Sequence, residues 1–153
     1  MIKLKKVKKD QIPVITELFR EYAESLNFDL CFQDFDRELE GLPGDYAEPE
    51  GLILIAESED KTAGCVALRK IDRETCEMKR LYVKPEFRGK KIGLLLAEKI
   101  IEEAKKIGYK KMRLDTTPQM KKAIQLYKSL GFKEIKPYRF NPIEGAIYME
   151  KEL

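Results

Sequence analysis

The chain of 153 residues contains no histidine and no tryptophan. Without histidine, Ser-His-Asp and Cys-His nucleophile systems and every metal site with a histidine ligand are excluded. The cysteines are Cys31, Cys65 and Cys76, too far apart for a C-x-x-C motif or a disulfide framework. We expect buried thiols in a reducing cytosol and no metal. Any chemistry would then depend on carboxylates, tyrosines, backbone amides or a bound cosubstrate.

Long apolar runs are also missing. The longest, residues 51–56 and 92–97, are far shorter than the ~20 residues that cross a membrane. The first ten residues alternate apolar and basic side chains and lack the apolar segment of a signal peptide. Net charge is only +3, and the N-terminal lysines are not interleaved with aromatic residues. We therefore expect a cytoplasmic protein that binds neither membranes nor nucleic acid.

The hydrophobic pattern predicts an α/β fold in one domain spanning residues 1–153. Period-two segments predict strands over residues 2–7, 52–57, 64–71, 75–83, 111–115, 132–136 and 146–150. Period-3.6 segments predict helices over residues 12–26, 34–40, 92–107 and 117–130, with Leu96, Ile100, Ala104 and Ile107 on one apolar stripe. Short turns join the second to fourth strands, which indicates an antiparallel meander. The strand–helix–strand segment that follows should pair in parallel, giving a mixed sheet.

The most informative loop reads Val83-Lys-Pro-Glu-Phe-Arg-Gly-Lys-Lys-Ile-Gly93 and joins a strand to a helix. The first amides of a helix have no partner within the helix, and the helix dipole places positive charge there. Basic side chains at that end oppose the dipole, and a bound anion would offset this cost. The loop therefore favours phosphate binding, although a solvated basic helix start is an open alternative. Its basic residues are Lys84, Arg88, Lys90 and Lys91.

Three segments in order resemble the GNAT superfamily of acyl-CoA N-acyltransferases. They are Glu77-Met-Lys-Arg-Leu-Tyr-Val83, Arg88-Gly-Lys-Lys-Ile-Gly93 and Ala123-Ile-Gln-Leu-Tyr-Lys-Ser-Leu-Gly-Phe132. The resemblance implies an acetyl-CoA-dependent N-acetyltransferase that needs no metal. The family's pyrophosphate motif is R/Q-x-x-G-x-G/A, and Lys91 stands where its first glycine is usual.

The same resemblance implies how acetyl-CoA is bound. The strand over residues 81–83 should separate from the strand over 111–115, so that Leu81, Tyr82 and Val83 pair with the pantetheine amides. The pyrophosphate would lie against the amides of Arg88, Gly89, Lys90, Lys91, Ile92 and Gly93. Met120 replaces an asparagine that is frequent in the family, so Gln119 or Thr116 would have to supply that polar contact.

Direct transfer to an amine requires proton acceptors and donors. An alkyl ammonium of pKa ~10.4 is neutral in only about one molecule in 2,500 at pH 7, so a base is useful. The resemblance implies Glu77 as that base, because it lies as far before Arg88 as the catalytic glutamate of the histone-acetylating branch. We expect Glu77 to share a strand face with Lys79, Leu81 and Val83, and partial burial to raise its pKa. An ordinary ion pair with Lys79 or Arg69, and water as the base, stay open.

Tyr127 is implied as the acid that protonates the leaving thiolate, since it matches the tyrosine of the family's L-Y-x-x-x-G-F segment. The alternative is a core tyrosine on an apolar helix stripe.

The resemblance also implies that residues 28–40 and 138–148 build the acceptor pocket. The first range carries Asp29, Asp34, Asp36 and Glu38, which suit a cationic amine but also fit a solvated acidic face. The second carries Tyr138, Arg139 and Asn141, which could bind an amino-acid carboxylate. A small-molecule primary amine is the favoured acceptor. A protein or peptide acceptor, a catalytically weak acyl-CoA-binding module, and a homodimer stay open.

Overall fold

The computed structural model describes residues 1–26 and 34–153. Its strands form one seven-stranded sheet in the order β1-β2-β3-β4-β5-β7-β6. The strands are β1 (Ile2–Lys6), β2 (Leu52–Ser58), β3 (Lys61–Lys70), β4 (Thr75–Val83), β5 (Lys111–Thr116), β6 (Lys133–Ile135) and β7 (Ile147–Glu152). The helices are α1 (Ile12–Ser25), α2 (Phe35–Glu40), α3 (Ile92–Ile107) and α4 (Lys121–Ser129). No helix in the described ranges is long and apolar enough to cross a membrane.

The sheet is mixed, and the predicted α/β architecture is confirmed. Strands β1 to β4 pair antiparallel in chain order, as the short turns between them indicated. Strand β5 then pairs in parallel with β4, after the crossover through α3. Strands β7 and β6 complete the sheet in antiparallel orientation.

Each face of the sheet has its own apolar cluster. The α3-side cluster joins Leu96, Ile100 and Ala104 to strand residues such as Val66 and Met112. The α1-side cluster joins Ile15, Leu18 and Phe19 to Ile53 and Ile55. The amphipathic stripes of α1 and α3 therefore bury the faces that their periodicity indicated.

Two details of the predicted helices are wrong. Ile107 is predicted on the apolar stripe of α3, but it is 39% exposed at the last residue of the helix. Helix α4 begins at Lys121 instead of residue 117, because Thr117 to Met120 form a turn closed by a bond from Met120 N–H to the Thr117 carbonyl (3.0 Å).

A β-bulge in β4 changes which side chains share a face. Ala67 pairs with Lys79 and Cys65 pairs with Tyr82, so two steps of β3 match three of β4. Arg80 lies in the bulge and adopts a left-handed conformation (φ 60°). Glu77 and Lys79 consequently lie on the α1 side, whereas Leu81 and Val83 pack against the α3-side cluster. The expectation that these four residues share one face is wrong, because strict alternation fails at a bulge.

The cysteines behave as expected where they are described. Cys65 and Cys76 are buried free thiols, and burial raises the pKa of both, that of Cys76 to about 12. Cys31 lies outside the described residues.

Candidate active site

Strands β4 and β5 diverge towards their carboxyl ends. They pair only from Thr75 to Glu77 and from Lys111 to Arg113, although β4 continues to Val83 and β5 to Thr116. The predicted separation of these strands is confirmed. A cavity of about 50 Å³ lies in the opening. Its walls come from α1, β4, β5, α4 and the segments after β5 and β6, and include Tyr22, Lys79, Leu81, Asp115, Thr117, Tyr127 and Asn141.

The turn that leads from β4 into α3 presents backbone amides and cations. Gly89 (φ 86°) and Lys91 (φ 62°) both adopt left-handed conformations, and α3 begins at Ile92. The first bond within the helix runs from Leu95 N–H to the Lys91 carbonyl (3.1 Å), so the preceding amides have no acceptor in the helix. Gly89, Lys90 and Lys91 are exposed. This turn, residues 88–93, can receive a phosphate.

Two further observations bear on the fit of a pantetheine pyrophosphate. A Cβ atom at Gly93 would lie 3.8 Å from Val83 and 3.9 Å from Leu126, which is ordinary contact. Packing within the protein therefore does not require glycine there, whereas close approach of a phosphate would. Arg88 is partly engaged already, because its Nε donates to the Val83 carbonyl (3.1 Å).

The three residues predicted to pair with pantetheine do not face the same way. Leu81 lines the cavity, and Val83 packs beside it on the α3 side. Tyr82 is buried towards α1, where its ring meets Tyr22 edge-on at 6.4 Å between centroids. Only the backbone of Tyr82 is therefore available to a ligand in the opening.

Tyr127 lies in the cavity wall on α4 and is 8% exposed. Its ring packs edge-on against Phe132, with the ring centroids 5.8 Å apart. Its hydroxyl forms no hydrogen bond with any residue in the ranges 1–26 and 34–153. Burial, and to a smaller extent Tyr22 and Asp115, raise the pKa of Tyr127, so the phenol stays protonated at neutral pH. Tyr127 is therefore a core residue whose hydroxyl is still available to a ligand.

Glu77 is fully buried (0% exposed), and its side chain is not in the cavity wall. Its Oε1 accepts a bond from Arg69 Nε (2.8 Å), and its Oε2 is bonded by the Tyr138 hydroxyl (2.6 Å) and the Arg139 guanidinium. Burial alone would raise the pKa of Glu77, but Lys79, Arg69 and Arg139 outweigh it and the pKa is lowered. The expected upward shift is wrong, and the ion pair with Arg69 is present.

Sequence reasoning missed two charged residues of the cavity. Asp115 lies near the end of β5, and its Oδ2 accepts a bond from Asn141 Nδ2 (3.3 Å). Lys79 is 5% exposed, and burial, followed by the charge of Arg80, lowers the pKa of its amine to about 8. Asp115 could have been found, because it closes a strand beside the predicted opening. Lys79 could not, because only the fold shows that it is buried.

Thr117 supplies a polar atom without a partner. It is 5% exposed and lines the cavity, and its hydroxyl oxygen has no hydrogen-bond partner among the described residues. A bound molecule with a donor or acceptor here would remove the cost of that buried group. The sequence indicated Gln119 or Thr116 for such a contact, one or two positions away.

The chain matches the model of the acetyltransferase (GNAT) family over residues 12–132. This chain belongs to the GNAT family. It is 46% identical to an uncharacterized N-acetyltransferase of Schizosaccharomyces pombe, over 89% of this chain and 85% of that protein. Its fold is similar to that of a GNAT acetyltransferase from Staphylococcus aureus (TM-score 0.83, 20% identity, 99% of both chains). It is also similar to PaiA N-acetyltransferase from Thermoplasma acidophilum, solved with coenzyme A (TM-score 0.78, 24% identity, 100% and 99% of the chains).

Acetyl-CoA is the acetyl donor typical of the GNAT family, to which the chain belongs. No group of three or more His, Cys, Asp or Glu side chains in the described part of the chain could hold a metal ion. The resemblance to the GNAT superfamily stated from the three motifs is confirmed by the family match.

The predicted acceptor residues of this acetyltransferase are only partly available. Glu38 is bonded to Arg80, through Nη2 to Oε1 (2.8 Å) and Nε to Oε2 (3.0 Å). Asp34 and Asp36 are exposed, and Asp29 lies outside the described residues. Tyr138 and Arg139 are bonded to Glu77, whereas Asn141 reaches the cavity. Among the residues predicted for the acceptor, Asn141 therefore lines the cavity, together with Asp115 and Lys79.

Proposed function

We propose that this GNAT acetyltransferase transfers the acetyl group of acetyl-CoA directly to the primary amine of a small molecule. The observation that carries the proposal is the cavity between β4 and β5, whose wall contains both Tyr127 and Asp115. One side chain can donate a proton and the other can bind an ammonium group. The cavity volume of about 50 Å³ suits an amino group and its neighbouring atoms.

Acetyl-CoA would be held by the opened strand and the phosphate turn. The backbone of Leu81, Tyr82 and Val83 is proposed to pair with the pantetheine amides. The amides of residues 88–93 would bind the pyrophosphate, with Lys90 and Lys91 adding charge. The left-handed conformations at Gly89 and Lys91, and the unpartnered Thr117 hydroxyl, support this arrangement.

Protons leave the reacting atoms in two places. The acceptor nitrogen forms a C–N bond with the acetyl carbon, and the C–S bond of the thioester breaks. Of the three ammonium protons, one remains on the amide. A second is released to solvent through Asp115. The third leaves the nitrogen for solvent once the C–N bond has formed, and Tyr127 regains from solvent the proton that it gives to the thiolate, so the net products are the amide, the free thiol of coenzyme A and one proton.

Glu77 as a direct base stays a prediction that its surroundings disfavour. Both of its oxygens already accept hydrogen bonds, and its pKa is lowered. Asp115 is the better candidate to meet the amine, because it lines the cavity.

The test of the acid is Tyr127→Phe, assayed by release of free thiol from acetyl-CoA. We expect kcat to fall by about 100-fold, the effect of a lost proton donor, with little change in the KM for acetyl-CoA. Tyr109→Phe is the matched control, because it removes another buried hydroxyl whose bond, to the Glu50 carbonyl (2.6 Å), lies away from the cavity. Equal losses in kcat and acetyl-CoA affinity would remove Tyr127 from the chemistry.

The acceptor class is tested with the wild-type protein on a panel of amino acids, polyamines, aminoglycosides and peptides. We expect thiol release with at least one small primary amine and none with its dimethylated analogue. Turnover restricted to peptides would contradict a small-molecule acceptor. Calorimetric binding of acetyl-CoA without turnover on any amine would contradict the enzyme activity itself.

A further inference from the structure

The segment between β6 and β7, residues 136–146, forms the β6–β7 loop and brings Asn141 to the cavity. Asn141 Nδ2 donates to Asp115 Oδ2 (3.3 Å), and Asn141 Oδ1 accepts a bond from Ile143 N–H (2.9 Å). Phe140 beside it is 81% exposed. The Phe140 side chain therefore contributes little apolar packing to hold the loop.

The fixing contacts converge on Glu77. The Tyr138 hydroxyl donates to Glu77 Oε2 (2.6 Å), and the Arg139 guanidinium bonds the same oxygen. Glu77 Oε1 is bonded by Arg69 Nε (2.8 Å) from the neighbouring strand. A central strand is thus connected to two consecutive loop residues through one buried carboxylate.

The Tyr138 ring makes further contacts with residues of the sheet and of the loop. The Tyr138 ring lies between the guanidinium groups of Arg113 (5.2 Å) and Arg139 (5.0 Å). It also meets the Tyr148 ring edge-on at 5.2 Å, and the Tyr148 hydroxyl donates to the Arg139 carbonyl (2.9 Å). These contacts join Tyr138 and Arg139 to β5 and β7, and the Glu77 carboxylate joins the same two side chains to the central strand β4.

Glu77 is also badly placed to exchange protons with a substrate. The charged and titratable groups around it are Arg69, Lys79, Tyr138 and Arg139. Three of these are cations that favour the ionised carboxylate. Both of its oxygens accept hydrogen bonds, its side chain is fully buried, and it does not line the cavity.

We propose that Glu77 is a positioning residue: it holds the β6–β7 loop through Tyr138 and Arg139 and thereby sets the affinity of the site for the acceptor. The amine then meets Asp115 with Asn141 beside it, while Glu77 takes no proton. This inference rests on the proposed acetyl transfer for its kinetic consequences. Its structural consequence, a loop fixed by Glu77, is measurable without turnover.

The experiment compares Glu77→Gln, Tyr138→Phe and the double variant. In kinetics we expect the acceptor KM to rise about tenfold in Glu77→Gln, the effect of a lost charge-assisted bond, and less in Tyr138→Phe. We expect kcat, the acetyl-CoA KM and the shape of the pH–kcat profile to be retained. The double variant should be no worse than Glu77→Gln, because both changes break the same connection.

Hydrogen exchange followed by mass spectrometry gives the second readout. Exchange of residues 136–146 should accelerate about tenfold in both single variants, with α3 unchanged as the internal control. Unchanged exchange of the loop in the variants would overturn the proposal. A lower kcat in Glu77→Gln, with the acidic limb of the pH–kcat profile lost and the acceptor KM unchanged, would also overturn it, because that result is expected of a general base. Tyr138→Phe keeps the test valid should Glu77→Gln not fold. If the wild type releases no thiol from acetyl-CoA with any amine, the proposed function fails, and the exchange result still decides the role of Glu77.

Discussion

Lys79 is an ionisable side chain that is almost fully buried. Its titration should therefore make the free energy of unfolding depend on pH. The pKa of its amine is about 8, lowered from its ordinary value chiefly by burial. Between pH 8 and the ordinary lysine pKa the unfolded chain therefore binds more protons than the folded one, and stability gains with rising pH. Below pH 8 the full cost of burying the ammonium is present.

We expect Lys79→Met to remove this dependence. Relative to that variant, the unfolding free energy of the wild type should increase by about 2 kcal/mol between pH 8 and pH 10. The measurement is urea unfolding across that range, followed by circular dichroism. For Lys105→Met, at an exposed position of α3, the difference in unfolding free energy from the wild type should not change with pH. If the difference in unfolding free energy between the wild type and Lys79→Met is also independent of pH, the Lys79 amine has an ordinary pKa in the folded protein.

Individual residues also show the limit of reading chemistry from residue type. The sequence identified Glu77 and Tyr127 as chemically important positions, and both lie near the strand opening. It could not show that three partners occupy the Glu77 carboxylate, because Arg69, Tyr138 and Arg139 come from distant parts of the chain. The direction of the pKa shift was wrong for that reason.

Helix α2 is joined to the bulge of β4 by the ion pair between Glu38 and Arg80. Arg80 is only 3% exposed, and its guanidinium also lies over the rings of Tyr22 (5.7 Å) and Phe35 (5.3 Å). Neutralising Glu38 removes the negative charge that is bonded to the buried Arg80 guanidinium. Breaking a buried pair in this way is far more costly than removing an exposed charge.

We therefore expect Glu38→Gln to lower the unfolding free energy by about 3 kcal/mol. Glu40→Gln, an exposed change on the same helix, should alter it by less than about 0.5 kcal/mol. Chemical denaturation of the two variants at pH 7 measures both values. Similar small losses in both variants would mean that Arg80 does not depend on Glu38.

The phosphate turn contains a residue type that its backbone conformation disfavours. Lys91 has φ 62°, a conformation that costs a residue with a Cβ atom about 1–2 kcal/mol and costs glycine little. Lys91→Gly should accordingly raise the unfolding free energy by about 0.5–1 kcal/mol. The same change should weaken coenzyme A binding several-fold in calorimetry, because a cation is lost.

Lys90→Gly is the matched control for this turn. Lys90 is exposed and is not among the residues with positive φ, so glycine there relieves no strain. We expect it to lose stability slightly while weakening coenzyme A to a similar extent. If Lys91→Gly is also destabilising, the left-handed conformation is not a source of strain.

The molecule as a whole is a sheet covered on both faces, and both apolar clusters should unfold together. Phe19 is fully buried on the α1 side and Leu96 on the α3 side. Phe19→Ala and Leu96→Ala should each lower the unfolding free energy by about 3–5 kcal/mol through lost burial and a residual cavity. Far-ultraviolet circular dichroism and tyrosine fluorescence should report one coincident transition in each variant. Separate transitions would mean that the two faces are independent units.

The sequence by itself determined the strand and helix order, the mixed sheet, the GNAT motifs and the basic turn that begins α3. These follow from periodicity and from residues adjacent in the chain, which local sequence specifies directly. Tertiary structure alone decided that Arg80 forms a bulge, that α4 starts late, that Glu77 is enclosed by cations, and that Asp115, Lys79 and Thr117 meet in one cavity. Those outcomes depend on contacts between residues far apart in the chain, and no local pattern encodes the burial and charge that such contacts create.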